Sequence, residues 1–256
     1  MPSFDLRSLP GLVLFQDGPS QRPGSLHANP GTPDRPAWYV LTFPELPDSW
    51  MGPLLREASP ERAARAQRFR KPIDALRCLA AEALLRFGLW DRHGLEPGDF
   101  QLQADPMGKP FLAQQPSIHV SLSHSGPWVL AAIHSRPVGV DVEEIRPLGI
   151  LPLDTILSPE EAREFLGLDP ASRCQAFYRT WTLKESLLKA AGKGFSLDPR
   201  GITLRLEGGG WQAAGGPAPT PGHRWGFNCL DLDPSAKAAL CWCSKLETTS
   251  GAGGAR

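Results

Sequence analysis

The sequence lacks the features that would place the chain in a membrane or in an oxidising compartment. No stretch approaches the roughly 20 consecutive apolar residues that a membrane-spanning helix needs, so no membrane association is expected. The N-terminus has neither the basic segment nor the small-residue cleavage site of a secretory signal. The 5 cysteines are scattered and show no CxxC spacing, so neither a zinc site nor a disulfide framework is expected. Reduced thiols predict a cytoplasmic protein.

An excess of either charge is also absent. Lys+Arg and Asp+Glu number 27 each, which gives a formal net charge of zero. A protein that binds nucleic acid over a large surface normally carries a positive excess, so nucleic acid is not an expected partner. The apolar fraction of 41% is ordinary for a globular chain of one large domain or two small ones.

The ends of the chain differ in composition from its middle. Residues 1–36 are rich in proline and glycine without a helical or strand period, which predicts an irregular N-terminal arm. Residues 248–256 are small and polar, which predicts a disordered tail. Between them we predict an N-terminal half over 37–137 and a C-terminal half over 138–247 that carries the chemistry.

Hydrophobic periodicity and serine-proline pairs define the elements of the middle region. Strands are predicted over residues 38–43, 118–123, 128–133, 138–142, 201–206 and 238–244. Helices are predicted to begin at Ser59, Asp74, Ser158 and Ser172, the last ending near Ala191. In each half a long helix precedes a short strand. This repetition suggests an internal duplication with a site between the halves.

A pair of carboxylates marks the strand Val-Gly-Val-Asp-Val-Glu at residues 138–143. Side chains alternate along a strand, so Asp141 and Glu143 share one face. Hard oxygen ligands of this kind suit Mg²⁺, which takes one or two protein carboxylates and completes its shell with phosphate and water. A solvated strand face explains the same pattern, and the strand alone does not decide between the two interpretations.

A second charged pattern occupies the helix sequence WTLKESLLKAAGKG at residues 181–194. Glu185 and Lys189 are four residues apart and therefore neighbours on one helical face. A carboxylate beside a lysine can complete an acidic cluster and offset charge on a leaving phosphate. The alternative is a surface ion pair, for which this order of charges is also favourable.

Together these two motifs resemble the paired signature of the 4′-phosphopantetheinyl transferase superfamily, in its longer, single-chain, Sfp-type class. Further elements in the same order strengthen the resemblance: RF and DALR at 68–77, GKP at 108–110 and SLSHS at 121–125. The likeness covers residues 38–245. Cys78 departs from the pattern, because the Sfp-type protein has a polar residue near adenine at that position.

The resemblance implies an α+β fold of two pseudo-twofold-related halves, each with a small antiparallel sheet and a long helix. It implies an enzyme that transfers the 4′-phosphopantetheine group from coenzyme A to a serine of an acyl or peptidyl carrier protein and releases 3′,5′-ADP. Mg²⁺ is the implied cofactor, with Mn²⁺ as an alternative, and the implied partners are carrier proteins of fatty-acid, polyketide or nonribosomal-peptide synthesis. A monomer is expected.

The resemblance also assigns roles to residues. Asp141, Glu143 and Glu185 would hold the metal, and Lys189 would stabilise or protonate the departing 3′,5′-ADP. Glu185 is the first candidate for the base that takes the serine proton, and Glu161 is the second. Ser158-x-x-Glu161 is also a helix capping box, which explains Glu161 equally well.

Seven residues are expected to bind coenzyme A: Arg62, Arg65, Arg77, Lys109, Ser123, Lys184 and, at the 3′-phosphate, His124. Arginine forks suit phosphate, although Arg62 and Arg65 could simply form a solvated helix face. Two other functions stay open, a different magnesium-dependent pyrophosphate enzyme and a non-catalytic coenzyme A or carrier-binding protein. The first would not be expected to combine SHS, GKP and WxxKE, and the second would be expected to lack Glu185 or Lys189.

Overall fold

Two helices of 22 residues, α3 (Pro72–His93) and α6 (Pro170–Ala191), each pack against a β-sheet. The computed structural model describes Leu6, Leu9 and residues 13–15, 25–43, 48–147 and 153–246. The remaining helices are α1 (Asp48–Glu57), α2 (Pro60–Ala66), α4 (Leu153–Ile156) and α5 (Pro159–Gly167).

The first sheet has seven strands among the described residues, and every neighbouring pair is antiparallel except the parallel first pair. In spatial order its strands are β1 (Val13–Phe15), β2 (Ser25–Asn29), β3 (Ala37–Thr42), β7 (Trp128–His134), β6 (His119–Ser125), β5 (Pro110–Leu112) and β4 (Leu102–Ala104). The predicted hairpin of β6 and β7 is confirmed.

The second sheet is antiparallel and has β8 at one edge. Its strands are, in spatial order, β11 (His223–Leu230), β12 (Ala236–Lys245) and β8 (Val138–Glu144). A two-stranded sheet of β9 (Ile202–Glu207) and β10 (Gly210–Gly215) lies beside it. Sheet membership therefore changes at Val138, where the predicted C-terminal half begins.

Alternation along the strands builds an apolar layer on each side of the first sheet. The first sheet turns Tyr39, Leu41, Val129, Ala131 and Ile133 toward α3, and its opposite face packs against the valines of β8. The other side of β8 faces α6. A Cβ at Gly139 would collide with the backbone carbonyl of Ser186, so this glycine permits the close approach of α6 to the carboxylate strand.

Helix starts follow the sequence signals. The Ser59 hydroxyl accepts from the Arg62 backbone N–H at the start of α2. Ser158 and Glu161 form a reciprocal capping box at α5. The predicted α+β class is confirmed, and the described residues form three sheets of seven, three and two strands.

The expectation of an irregular arm over residues 1–36 is wrong for residues 13–15 and 25–29, which form β1 and β2, and β2 pairs with both β1 and β3. Leu6 and Leu9 are also buried. The predicted tail of residues 248–256 lies outside the described residues. None of the helices in the described part of the chain is long and apolar enough to cross a membrane.

Candidate active site

A cleft of about 790 Å³ opens between α2, β6, β8 and α6. Most of the residues that the sequence singles out line it: Arg62, Arg65, Ser123, His124, Asp141, Glu143, Glu185 and Lys189. They come from four elements that are distant in sequence. The cleft therefore joins the two motifs of the C-terminal half to the SHS segment and to α2.

Asp141 lies in the middle of β8, where only 3% of its surface is exposed. Its Oδ1 accepts hydrogen bonds from the Lys189 ammonium at 2.7 Å and from the Ser123 hydroxyl at 2.9 Å. Its Oδ2 is buried and has no donor among the described residues. The interpretation as a solvated strand face is therefore excluded for this residue.

Glu143 shares the α6 side of β8 with Asp141. Its Oε2 accepts from the Ser125 hydroxyl at 2.9 Å, and the Trp181 side chain also hydrogen-bonds it. Burial and the charge of Asp141 raise the pKa of Glu143, and these two hydrogen bonds oppose that shift.

Glu185 faces the same two carboxylates from α6, one turn before Lys189. Its Oε1 is buried without a donor among the described residues. Burial and the negative charges of Asp141 and Glu143 raise the pKa of Glu185 to about 7, against the opposing effect of Lys189. Three carboxylates and one ammonium group thus form a coupled cluster.

This donor set fits a hard divalent cation. Buried carboxylate oxygens without a donor are costly, so Asp141 Oδ2 and Glu185 Oε1 favour a positively charged ligand. Within the described residues, no three acidic, histidine or cysteine side chains converge closely enough to enclose a metal by themselves. Mg²⁺ commonly takes few protein ligands and several oxygens from substrate phosphates and water. The cluster therefore fits Mg²⁺ together with a phosphate-bearing substrate.

Cationic and imidazole groups line the other end of the cleft. His124 is exposed to the cleft, yet enclosure by its walls, followed by the charges of Lys189, Arg77 and Arg62, lowers its pKa to about 4. Arg65 is exposed and pairs with no carboxylate among the described residues. Arg62 and Arg65 provide positive charge for an anion at this end, and His124, whose imidazole is neutral near pH 7, can add a hydrogen bond.

Arg77 and Lys109 do not line the cleft. The Arg77 guanidinium donates to the Gly126 carbonyl at 2.6 Å and pairs with Asp74 at 2.7 Å. The Lys109 ammonium donates to the Ala190 carbonyl at 2.9 Å, near the end of α6. Burial lowers the pKa of Lys109 to about 8. Both side chains are engaged with the backbone of the protein.

Glu161 and Lys184 lie outside the cleft and pair with each other. Glu161 accepts from the backbone N–H groups of Ser158 at 2.8 Å and Leu204 at 2.9 Å. The Lys184 ammonium also donates to the carbonyls of Ile156 and Pro199, at 2.8 and 2.9 Å, and Lys184 is 0% exposed. Their polar atoms are satisfied within the protein, and the capping role of Glu161 is present.

Sequence reasoning missed two residues of this region. Glu82 is 1% exposed, accepts from Ser59 and pairs with Arg62 and Arg86, so it fixes α2 to α3 at the cleft wall. A glutamate within the alanine and leucine run of α3 was the available signal. Ser125 contacts Glu143, and the alternation of serines in SLSHS was the signal for it.

The cleft thus combines a carboxylate cluster with lysine, arginine and histidine side chains, a set that suits a phosphate-bearing ligand and a hard cation. The model of the 4′-phosphopantetheinyl transferase superfamily matches residues 137–243. The chain is 37% identical to the 4′-phosphopantetheinyl transferase psf-1 of Bacillus pumilus, over 71% of this chain and 77% of that protein. It is 31% identical to the 4′-phosphopantetheinyl transferase Sfp of Bacillus subtilis strain 168, over 72% of this chain and 81% of that protein.

The chain belongs to the 4′-phosphopantetheinyl transferase superfamily. It is an enzyme of this class, which moves the phosphopantetheine group of coenzyme A onto a carrier-protein serine. A crystal structure of a holo-(acyl-carrier-protein) synthase from Bacillus anthracis in complex with coenzyme A (3′,5′-ADP) overlaps 43% of this chain and 96% of that chain. The two are 18% identical and the TM-score is 0.37.

Proposed function

We propose that this cleft binds coenzyme A and Mg²⁺ and is where phosphopantetheine is transferred to a carrier protein. The observation that carries the proposal is the pair of buried, donor-free oxygens, Asp141 Oδ2 and Glu185 Oε1, in one cleft with Lys189. A purely structural ion-pair cluster would leave no such oxygens, because buried polar atoms normally find partners.

Asp141, Glu143 and Glu185 are the proposed metal ligands, and Mn²⁺ would suit the same oxygens. When bound, the cation neutralises the pyrophosphate of coenzyme A and the charge that develops on it during transfer. The Lys189 ammonium stands beside Asp141, with its side chain 29% exposed, where it can reach a phosphate oxygen. His124, Arg62 and Arg65 are proposed to face the 3′-phosphate.

The transfer joins the carrier serine Oγ to the β-phosphorus of coenzyme A. The bond from that phosphorus to the bridging oxygen breaks, and 3′,5′-ADP leaves with the bridging oxygen. Lys189 offsets the charge on the departing oxygen or donates a proton to it. Glu185 is the proposed acceptor of the serine proton, since Glu161 is committed to Lys184 and two backbone N–H groups.

The partners are proposed to be acyl or peptidyl carrier proteins, served by a monomer in the cytoplasm. All 5 cysteines are free thiols, which supports a reducing compartment. The balanced charge of the chain favours neither nucleic acid nor an anionic membrane as a further partner.

The test is mass spectrometry of apo carrier proteins from fatty-acid, polyketide and nonribosomal-peptide systems, each incubated with the enzyme, coenzyme A and Mg²⁺. A mass gain of one phosphopantetheine on the carrier serine is expected, and it should disappear when the metal is chelated. No gain on any carrier, or transfer that persists in the chelator, would contradict the proposed site chemistry.

A further inference from the structure

The edge of β8 meets the face of the first sheet instead of pairing with another strand. Three serines of β6 accept the backbone N–H groups that this edge leaves free: Ser121 from Val140 at 3.0 Å, Ser123 from Val142 at 3.3 Å and Ser125 from Glu144 at 3.1 Å. Unpaired buried N–H groups are costly, so the serine ladder supplies the acceptors that a neighbouring strand would have provided.

The ladder does more than satisfy the strand edge, because two of its three hydroxyls also donate to the carboxylates of β8. Ser123 donates to Asp141 and Ser125 to Glu143, both at 2.9 Å. Ser121 has the same contact to the β8 backbone, but no carboxylate among the described residues accepts from it. In the described part of the chain, the Ser121 hydroxyl therefore contacts only the β8 backbone, whereas those of Ser123 and Ser125 contact both the backbone and a carboxylate of the cleft.

We propose that Ser125 is a positioning residue, which fixes the Glu143 carboxylate on the cleft side of β8 through a hydroxyl anchored in the other sheet. This inference rests on the proposed function of Glu143 as a metal ligand. The Ser125 hydroxyl accepts the Glu144 N–H with one lone pair, which leaves its single proton to be donated to Glu143. Ser125 therefore holds one oxygen of the Glu143 carboxylate in a set orientation. Partners of metal ligands commonly act in this way.

Glu143 depends more on its hydrogen bonds than Asp141 does. It follows the fully buried part of β8 and is partly exposed, so packing restrains its side chain less than that of Asp141. Asp141 has two donors to one oxygen, from Ser123 and Lys189, whereas Glu143 depends on Ser125 and the Trp181 side chain. Removing the Ser125 hydroxyl therefore leaves Glu143 with one of its two hydrogen bonds.

The experiment compares S125A with the matched control S121A, which removes the same kind of backbone acceptor without touching a carboxylate. Mn²⁺ is titrated into each variant with coenzyme A and no carrier protein, and free Mn²⁺ is measured by electron paramagnetic resonance, so that no transfer enters the readout. We expect S125A to weaken Mn²⁺ binding roughly tenfold and S121A to change it less than about twofold. S125T, which keeps the hydroxyl, should restore the affinity. Thermal unfolding verifies that each variant is folded.

Equal losses in S121A and S125A, or no loss in S125A, would overturn the positioning role of Ser125. So would a failure of S125T to restore binding while the protein remains folded. The variant E143A separates a failure of the positioning role of Ser125 from a failure of the proposed metal site. If E143A weakens Mn²⁺ binding while S125A does not, only the positioning role fails. If E143A binds Mn²⁺ like the unaltered enzyme, the metal assignment of Glu143 fails and the inference with it.

Discussion

Helix α6 carries two lysines, five residues apart, and each pairs with a carboxylate in a different way. Lys184 and Glu161 are buried, and every polar atom of the pair is satisfied by backbone groups or by the partner. Lys189 and Asp141 meet at 2.7 Å in the open cleft, and one oxygen of Asp141 has no donor among the described residues. The first pair is complete without a ligand, and the second is not.

The difference follows from the geometry of the helix. At about 100° per residue, five residues turn a side chain roughly 140° around the axis, so Lys184 and Lys189 face opposite sides of α6. Glu185 and Lys189, four apart, share the cleft side. Both lysines belong to the same motif, but only Lys189 lines the cleft in which we propose the chemistry, whereas Lys184 fixes α6 to α5 through Glu161. Each of the following experiments tests this division.

The largest effect is expected on stability, from K184M. Glu161 would lose its cation while still buried, so the free energy of unfolding should fall by about 3–5 kcal/mol. Phosphopantetheine transfer by the molecules that remain folded at low temperature should stay within about twofold of the unaltered enzyme, because the pair lies outside the cleft. Urea unfolding and carrier mass spectrometry measure the two quantities. A large rise in the KM for coenzyme A with unchanged stability would instead support the predicted coenzyme A contact of Lys184.

The next effect is expected on catalysis, from K189M. Loss of the ammonium group should lower kcat by about 10²–10³-fold, because it removes a charge that stabilises the departing oxygen. The loss of stability should be smaller than in K184M, since Lys189 is partly exposed. Equal losses of stability in the two variants would remove the distinction between a structural and a catalytic lysine.

The incomplete cluster around Lys189 also predicts a dependence of stability on pH, through Glu185. The pKa of Glu185 is raised from 4.5 to about 7, so its contribution to stability is fully present below pH 4.5 and is lost as the pH rises through 7. In E185Q this loss should vanish. The variant should therefore become more stable relative to the unaltered chain between pH 5 and pH 8, by up to about 3 kcal/mol. Urea unfolding in a chelator measures the difference, and parallel curves for the two proteins would contradict the raised pKa.

Local sequence signals predicted the parts of this site that depend on local geometry. Alternation in GVDVE placed Asp141 and Glu143 on one face, and the four-residue spacing placed Glu185 beside Lys189. Sequence reasoning predicted the local capping contact of Glu161 but not its pairing with Lys184, because the two residues lie on α5 and α6 and meet only in the folded chain. The strand β2 was missed for the same reason, since its evidence is the pairing with β3. The N–H acceptor role of the serines depends likewise on how the edge of β8 meets β6.

The smallest effect concerns the two arginines of α2 that line the cleft. Arg62 also pairs with Glu82, at 3.3 Å, whereas Arg65 is exposed and pairs with no carboxylate among the described residues, so Arg65 gives the cleaner test of the proposed phosphate contact. If Arg65 contacts the 3′-phosphate, R65Q should raise the KM for coenzyme A about fivefold with kcat unchanged, as expected for one exposed charged hydrogen bond of about 1 kcal/mol.

Substrate chemistry then separates this contact from a general electrostatic effect of Arg65. With 3′-dephospho-coenzyme A the enzyme and R65Q should show the same KM, because the group that Arg65 binds is missing. A fivefold difference that persists with this substrate would place Arg65 at the pyrophosphate or at the carrier protein. If R65Q and the unaltered enzyme have the same KM with coenzyme A as well as with 3′-dephospho-coenzyme A, Arg65 is part of a solvated helix face. In that case, exposure at the cleft and the lack of a carboxylate partner would not by themselves identify a side chain that contacts the substrate.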